Sequence, residues 1–134
     1  MSHIPTVQAM YAACGAGDIA TILSHLAEDI DWEYALTDVG IPWLARRRGR
    51  DQVPGFFQAL QAFEFRKFQP TTILESGPLV VSLIDIEIVH KASGMVIVEP
   101  DEVHLWHFGP DGKVQRFGHK ADTHQHWLAW RKAA

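Results

Sequence analysis

Asp122 ends a short segment, DGKVQRFGHKADT (111–123), that reads as a hairpin strand finishing on an acid. A carboxylate beside an apolar cavity has its charged form disfavoured, which raises its basicity toward neutral pH and suits it to act as a general base. The same residue precedes Thr123, His124 and Trp127 in a pattern that fits a helix N-cap, so base and cap stand as two readings of one side chain. One segment earlier, His104 and Trp106 lie two apart and share a face of a strand, while Lys120 and Asp122 share a face of the next. If the two pairs meet across the sheet, His104 is a proton donor or orienting group, Trp106 a cavity wall and Lys120 a polar partner. The alternative for His104 is a core histidine hydrogen-bonded to its neighbours.

Trp32, Tyr34, Trp43, Phe56 and Trp106 supply enough aromatic surface to line a pocket for a flat or hydrophobic molecule, although any small domain also spends aromatics on its core. Eight histidines raise the question of a metal, but the chain has no H-x-x-x-H pair or H-x-x-E-H motif, and His124 and His126 face opposite ways on a helix. Neither a metal nor a cofactor is expected. Arg46, Arg47, Arg48 and Arg50 form a local basic cluster that reads as solvated loop charge, and a formal charge of −4 argues against nucleic acid as a partner.

The elements that must position these residues follow from periodicity. Ile4, Val7, Tyr11 and Cys14 recur at helical steps, Gly15 and Gly17 end that helix, and Asp18 is placed to cap a second one with Ile19, Ile22, Leu23 and Leu26 on its buried face. From Ile30 the period drops to two, so Ile30, Trp32 and Tyr34 share one face of a strand. Residues 36–50 form a long loop around Trp43, and Asp51 caps a third helix bearing Val53, Phe56, Phe57, Leu60 and Phe63. Residues 66–75, 79–90, 95–108 and 113–122 read as strands joined by tight turns, hence antiparallel, and Trp127, Leu128 and Trp130 lie in a short helix or tail. Helices followed by a meander make a single α+β domain over 1–134. A chain of 134 residues, 47% hydrophobic, buries a core without disulfides, and its one cysteine, Cys14, forms no internal bridge. The N-terminus lacks the pattern of a signal peptide and the apolar run 79–89 is broken by Asp85 and Glu87, so a soluble cytoplasmic protein without a membrane partner is expected.

Taken in order, YAACGAGDIATILSHLAEDIDWE, GRDQVPGFFQAL, HLWHF, DGKVQRF and HKADT resemble the nuclear transport factor 2-like superfamily, and within it the SnoaL-like group of polyketide cyclases and ketosteroid-isomerase-related proteins. The resemblance implies a cone, a cystatin-like α+β barrel in which a strongly bent antiparallel sheet closed by three helices encloses a pocket. It also implies a homodimer paired through the sheet face. In ketosteroid isomerases the base is a strand aspartate, matched here by Tyr34, and the oxyanion donors are matched by Met10, with Tyr11 one residue on, and His104; that mechanism is therefore not expected. SnoaL-type cyclases and limonene epoxide hydrolases place an acid ten residues after the hairpin glycine, the spacing of Gly112 and Asp122, whereas the Asp-Arg-Asp relay of the hydrolases has no counterpart. The function expected is cofactor-independent acid/base chemistry of isomerase, cyclase, dehydratase or hydrolase type on a small hydrophobic molecule. Asp122 would be its base, with His104, Tyr34 or Lys120 as partners. A non-catalytic ligand-binding or assembly domain is the other class.

Overall fold

A proline in the first turn loses no helical hydrogen bond, and helix α1 (Ile4–Gly15) starts at Ile4-Pro5 accordingly. A computed structural model describes residues 2–134. Val7, Met10 and Ala13 are the buried face of α1, which leaves Tyr11 and Cys14 half-buried at its edge. Gly17 takes a positive φ of 71°, and Asp18 then caps α2 (Ile19–Ser24), its carboxylate accepting from the Thr21 backbone N–H at 3.1 Å. Strand β1 (Leu26–Trp32) follows, and a 3-10 turn at Pro42–Leu44 buries Trp43 and Leu44. After the short β2 (Arg47–Arg48) comes α3 (Val53–Ala59), and then β3 (Phe63–Ser76), β4 (Leu79–His90), β5 (Val96–Phe108), β6 (Val114–Lys120) and a terminal helix α4 (Thr123–Ala133).

These strands make one sheet in the order β2-β1-β6-β5-β4-β3. All neighbours are antiparallel except β1 and β6, which run parallel and pair Trp32 with Phe117. The short turns that dictate antiparallel order join β3 to β6 only; β1 reaches β6 from far away in the sequence and is free of that constraint. Register shifts between β3 and β4, β4 and β5, and β5 and β6 bend the sheet around the helices, so the α+β cone read from the sequence is the fold, with α4 added as a full helix.

Three boundaries differ from the sequence reading. α2 ends at Ser24, so Leu26 belongs to β1; α3 stops at Ala59 and Phe63 already starts β3; Asp51 lies in a 3-10 turn and caps nothing. On β4 the alternation is regular: Val80, Ile84, Ile86 and Ile88 face inward, while Asp85 and Glu87 point out to Lys67 (2.6 Å) and Arg66 (3.9 Å). The interior holds two apolar clusters, one around Trp32 and Trp106 and one around Trp43 and Phe63, and Tyr11 packs against both.

Candidate active site

Between the helices and the concave face of the sheet lies a cavity of about 970 Å³, walled in part by Trp32, Trp43, Phe56, Phe68, Trp106 and Phe117. That is the size of a small-molecule site, and its polar groups are few: Tyr11 on α1, Gln58 and Gln61 in and after α3, Glu102 and His104 on β5, His119 on β6 and His126 on α4.

The first of them is His119. The β5–β6 register sets His119 opposite His104, with their rings 6.0 Å apart, and both side chains face the cavity. Its partner arrives from β1 by a break in alternation. Trp32 points inward, and Glu33, with φ at 72°, turns the chain so that its own side chain also points inward, with none of its surface exposed. A left-handed non-glycine residue is strained and persists only where its surroundings hold it; here the backbone N–H groups of Glu33 and Tyr34 both donate to the Phe117 carbonyl. Gly118 makes the crossing possible, because a Cβ there would lie 2.7 Å from that of Ala35. The Glu33 carboxylate accepts from the His119 backbone N–H at 3.0 Å and bonds to His119 Nδ1. Burial is the largest influence on His119 and pulls its pKa down, but the hydrogen bond to Glu33 and the charges of Glu33, Glu102 and Glu99 together outweigh it, and the net shift is upward. The charged form of the His119 ring is favoured accordingly. Its Nδ1 is anchored, and Nε2 has no hydrogen-bond partner among the described residues.

A second polar chain starts on α1. Trp106 Nε1 donates to the Tyr11 hydroxyl at 3.1 Å, Tyr11 lies 2.8 Å from His104 Nδ1, and His104 Nε2 lies 2.8 Å from Glu102 Oε1. Because an indole N–H can only donate, the neutral chain satisfies every atom in one order: Trp106 to Tyr11, Tyr11 to His104, His104 to Glu102. Burial pushes the Tyr11 hydroxyl well above its ordinary pKa. Burial also opposes ionisation of Glu102, yet the hydrogen bond from His104 and the charge of His119 hold its carboxyl below the usual range.

A third group is Trp43, His126 and Glu99. Trp43 Nε1 donates to His126 Nδ1 at 2.9 Å, and His126 Nε2 faces Glu99 at 3.0 Å. Glu99, Glu102 and His126 bring ligand-type atoms within 4.8 Å of one another. A neutral histidine that binds a metal through Nε2 carries its proton on Nδ1, where Trp43 leaves room only for a lone pair, so the trio as built does not fit a cation.

Of the residues singled out in the sequence, the structure places His104, Trp106, Trp32, Trp43 and Phe56 on the cavity and Asp122, Lys120 and Tyr34 off it. Asp122 starts α4 on the surface, where Gln125 donates to its carboxylate at 2.9 Å and lowers its pKa, the opposite of what a buried base requires. The strand pairing accounts for the placement: Lys120 pairs with Val103, so β6 turns Phe117 and His119 inward and Lys120 outward, where it donates to the Ala35 carbonyl at 2.7 Å. Tyr34 is thrown to the outer face by Glu33; it meets His107 at 2.5 Å, and Arg116 lies over its ring at 4.5 Å. In the basic cluster, Arg46 forks onto Asp31 and Arg47 onto the Ala45 and Pro42 carbonyls.

Glu33, Glu99, Glu102, His119 and His126 are buried polar residues that the sequence reading does not single out for the site, and the alternation through Trp32 and Tyr34 would turn Glu33 outward. Pro100 inside a strand was the available signal for two of them, because a proline there marks a bulge, and the bulge turns both Glu99 and Glu102 inward. Nothing in the local sequence marks the turn at Glu33.

No curated protein matches the chain in sequence. Among solved structures, an NTF2-like protein of unknown function from Burkholderia pseudomallei K96243 is similar with a TM-score of 0.82 and 25% identity, over 96% of this chain and 98% of that one. TerC, co-crystallised with polyporic acid, gives 0.78 and 25% over the same shares of the two chains. A candidate polyketide cyclase from Pseudomonas putida KT2440 gives 0.75 and 19%, covering 94% of this chain and 96% of that one, a likeness of fold alone. The family model for the SnoaL-like domain matches residues 7–117, so the chain, whose bent sheet and helices are those of the NTF2-like fold, belongs to the SnoaL-like family.

Proposed function

We propose that this protein is an acid/base enzyme that needs no cofactor and moves protons on a small, largely hydrophobic carbonyl compound, with His119 as the proton-transferring group. The observation that carries the reading is the His119–Glu33 pair: one imidazole nitrogen fixed by a fully buried carboxylate, the other without a protein partner in a cavity walled by aromatic rings. TerC, crystallised with polyporic acid, lends support to a small organic occupant for a cavity of this fold.

The chemistry follows from the charge state. As imidazolium, His119 donates its Nε2 proton to a carbonyl oxygen; the neutral ring then removes an α-hydrogen, the enol forms, and the imidazolium is restored. Glu33 holds the ring in register and stabilises its charge, the role of a buried carboxylate behind a catalytic histidine. Tyr11, fixed between Trp106 and His104, presents a second polar point against which a substrate oxygen is oriented.

The test is deuterium exchange at the α-carbons of 2-tetralone in heavy water, followed by proton NMR. Acceleration that disappears on His119→Gln supports the reading. Binding of 2-tetralone with no acceleration by the wild-type protein favours a binding domain instead.

We also propose that the chain pairs with itself through the outer sheet face, where Val81, Leu83, Val103 and Leu105 are only half-buried. Light scattering is expected to give twice the chain mass at micromolar concentration; a monomer counts against this.

A further inference from the structure

Strand β5 is bulged where Pro100 and Asp101 together oppose the single residue Asp85 of β4. The bulge shifts the inward parity by one, so Glu99 and Glu102, three apart, both point to the interior and are nearly sealed, at 5% and 6% exposure. On the other side of β5 the sheet ends. β6 stops pairing at Val103, and beyond it, among the described residues, the edge is met only by Gln125, whose amide bonds to the backbone of Val98 at 3.0 and 2.9 Å. The gap forms a surface cleft of about 420 Å³ lined by residues 98–103 together with Lys120, Ala121, Asp122 and Gln125. Glu102 is the one described residue that lines both this outer cleft and the inner cavity.

From these observations we infer that Glu102 is a proton port, connecting water in the outer cleft to the cavity through His104 and Tyr11. With the His104 ring neutral the hydrogen bonds run outward, Tyr11 donating to His104 Nδ1 and His104 Nε2 to Glu102. A proton leaving a substrate hydroxyl, such as the enol O–H, passes to the Tyr11 oxygen as the Tyr11 proton moves to His104 Nδ1 and the His104 Nε2 proton moves to Glu102, from which cleft water takes it, leaving the substrate oxygen as the enolate. One proton leaves, only O–H and N–H bonds are exchanged, and a proton entering by the reverse sequence resets the chain. Glu99 supports the port without being part of the chain, since its carboxylate is held by the Asp122 backbone N–H and by His126. Such a port matters because a hydrophobic molecule in the cavity closes off water on the inner side. The surface position of Asp122 then has a use: it borders the port and not the reaction.

The port rests on reading the cavity as a site of proton transfer, but its test requires no turnover. In protein labelled with 15N-histidine, the solvent exchange of the His104 Nε2 proton is measured with the cavity empty and with it filled by 2-naphthol, whose binding is read from its fluorescence. Filling the cavity is expected to leave the exchange within about twofold, while Ala121→Trp, which fills the outer cleft without touching the cavity, slows it by about tenfold or more. Glu102→Gln adds a second block if it folds. Exchange that falls on filling the cavity and ignores Ala121→Trp overturns the port. A protein with intact exchange behaviour but no exchange chemistry on 2-tetralone would retain the port and lose the proposed reaction.

Discussion

Turnover per folded molecule falls by about two to four orders of magnitude in His119→Gln. Glutamine still offers an amide N–H to Glu33 but has no proton to give at neutral pH, and because it leaves the buried Glu33 carboxylate without its charged partner the melting temperature falls as well, so the rate is compared at a temperature where the variant is folded. Asp122→Asn is the control: its side chain is on the surface and outside the cavity, and its rate is expected to stay within about twofold of wild type, as for a surface substitution of small energetic effect. Activity also follows the charge of His119. Because its pKa is raised, the acid form persists above the ordinary histidine range and the rate declines on the alkaline side as that raised value is passed. Loss of activity in Asp122→Asn with His119→Gln unaffected would return the reaction to the rim of the fold.

Glu33→Ala costs about 3–5 kcal/mol of stability, the penalty for removing one partner of a buried ion pair and leaving the other charged group uncompensated. That is a large part of the 5–15 kcal/mol that holds a typical domain together, so the gentler Glu33→Gln accompanies it. The pH dependence distinguishes this effect from simple cavity formation. His119 has a folded-state pKa above its unfolded value, so its contribution to stability is complete below about pH 6.5 and is lost as pH rises through the folded value. Urea unfolding across that window should show this slope in the wild-type protein and a flattened one in both Glu33 variants. Equal slopes in all three would mean that the pair contributes no linkage.

The fold was legible because its signals are local and repeated. The turns at Gly77, Gly94 and Gly112 each take a positive φ, and β4 alternates without a fault over its whole length. The cavity walls were legible for the same reason: Trp32, His104 and Trp106 fall on the parity that a regular strand predicts. The polar half of the site was hidden where alternation fails. Glu33 follows Trp32 directly, yet both point inward, a consequence of one left-handed residue that no composition announces. Glu99 and Glu102 share a face only through the bulge, and the pairing of His104 with His119 is a register that turn length alone does not set. Of the two readings of Asp122, the structure places it as the residue that opens the last helix: the strand ends at Lys120, and the spacing from Gly112 sets the position of the acid without setting its direction.

If His119 is the charged acid that faces the cavity, NMR of the 15N-labelled histidine rings detects it directly. The nitrogen shifts of all eight histidines are followed from pH 5 to pH 9, with His119 assigned by its loss in His119→Gln. The expected result is a His119 that titrates above the ordinary histidine value, with protons on both nitrogens below that titration and an Nε2 perturbed when 2-naphthol fills the cavity. A His119 that is neutral at pH 7, or that titrates at or below the ordinary value with Nε2 indifferent to the cavity, would contradict it.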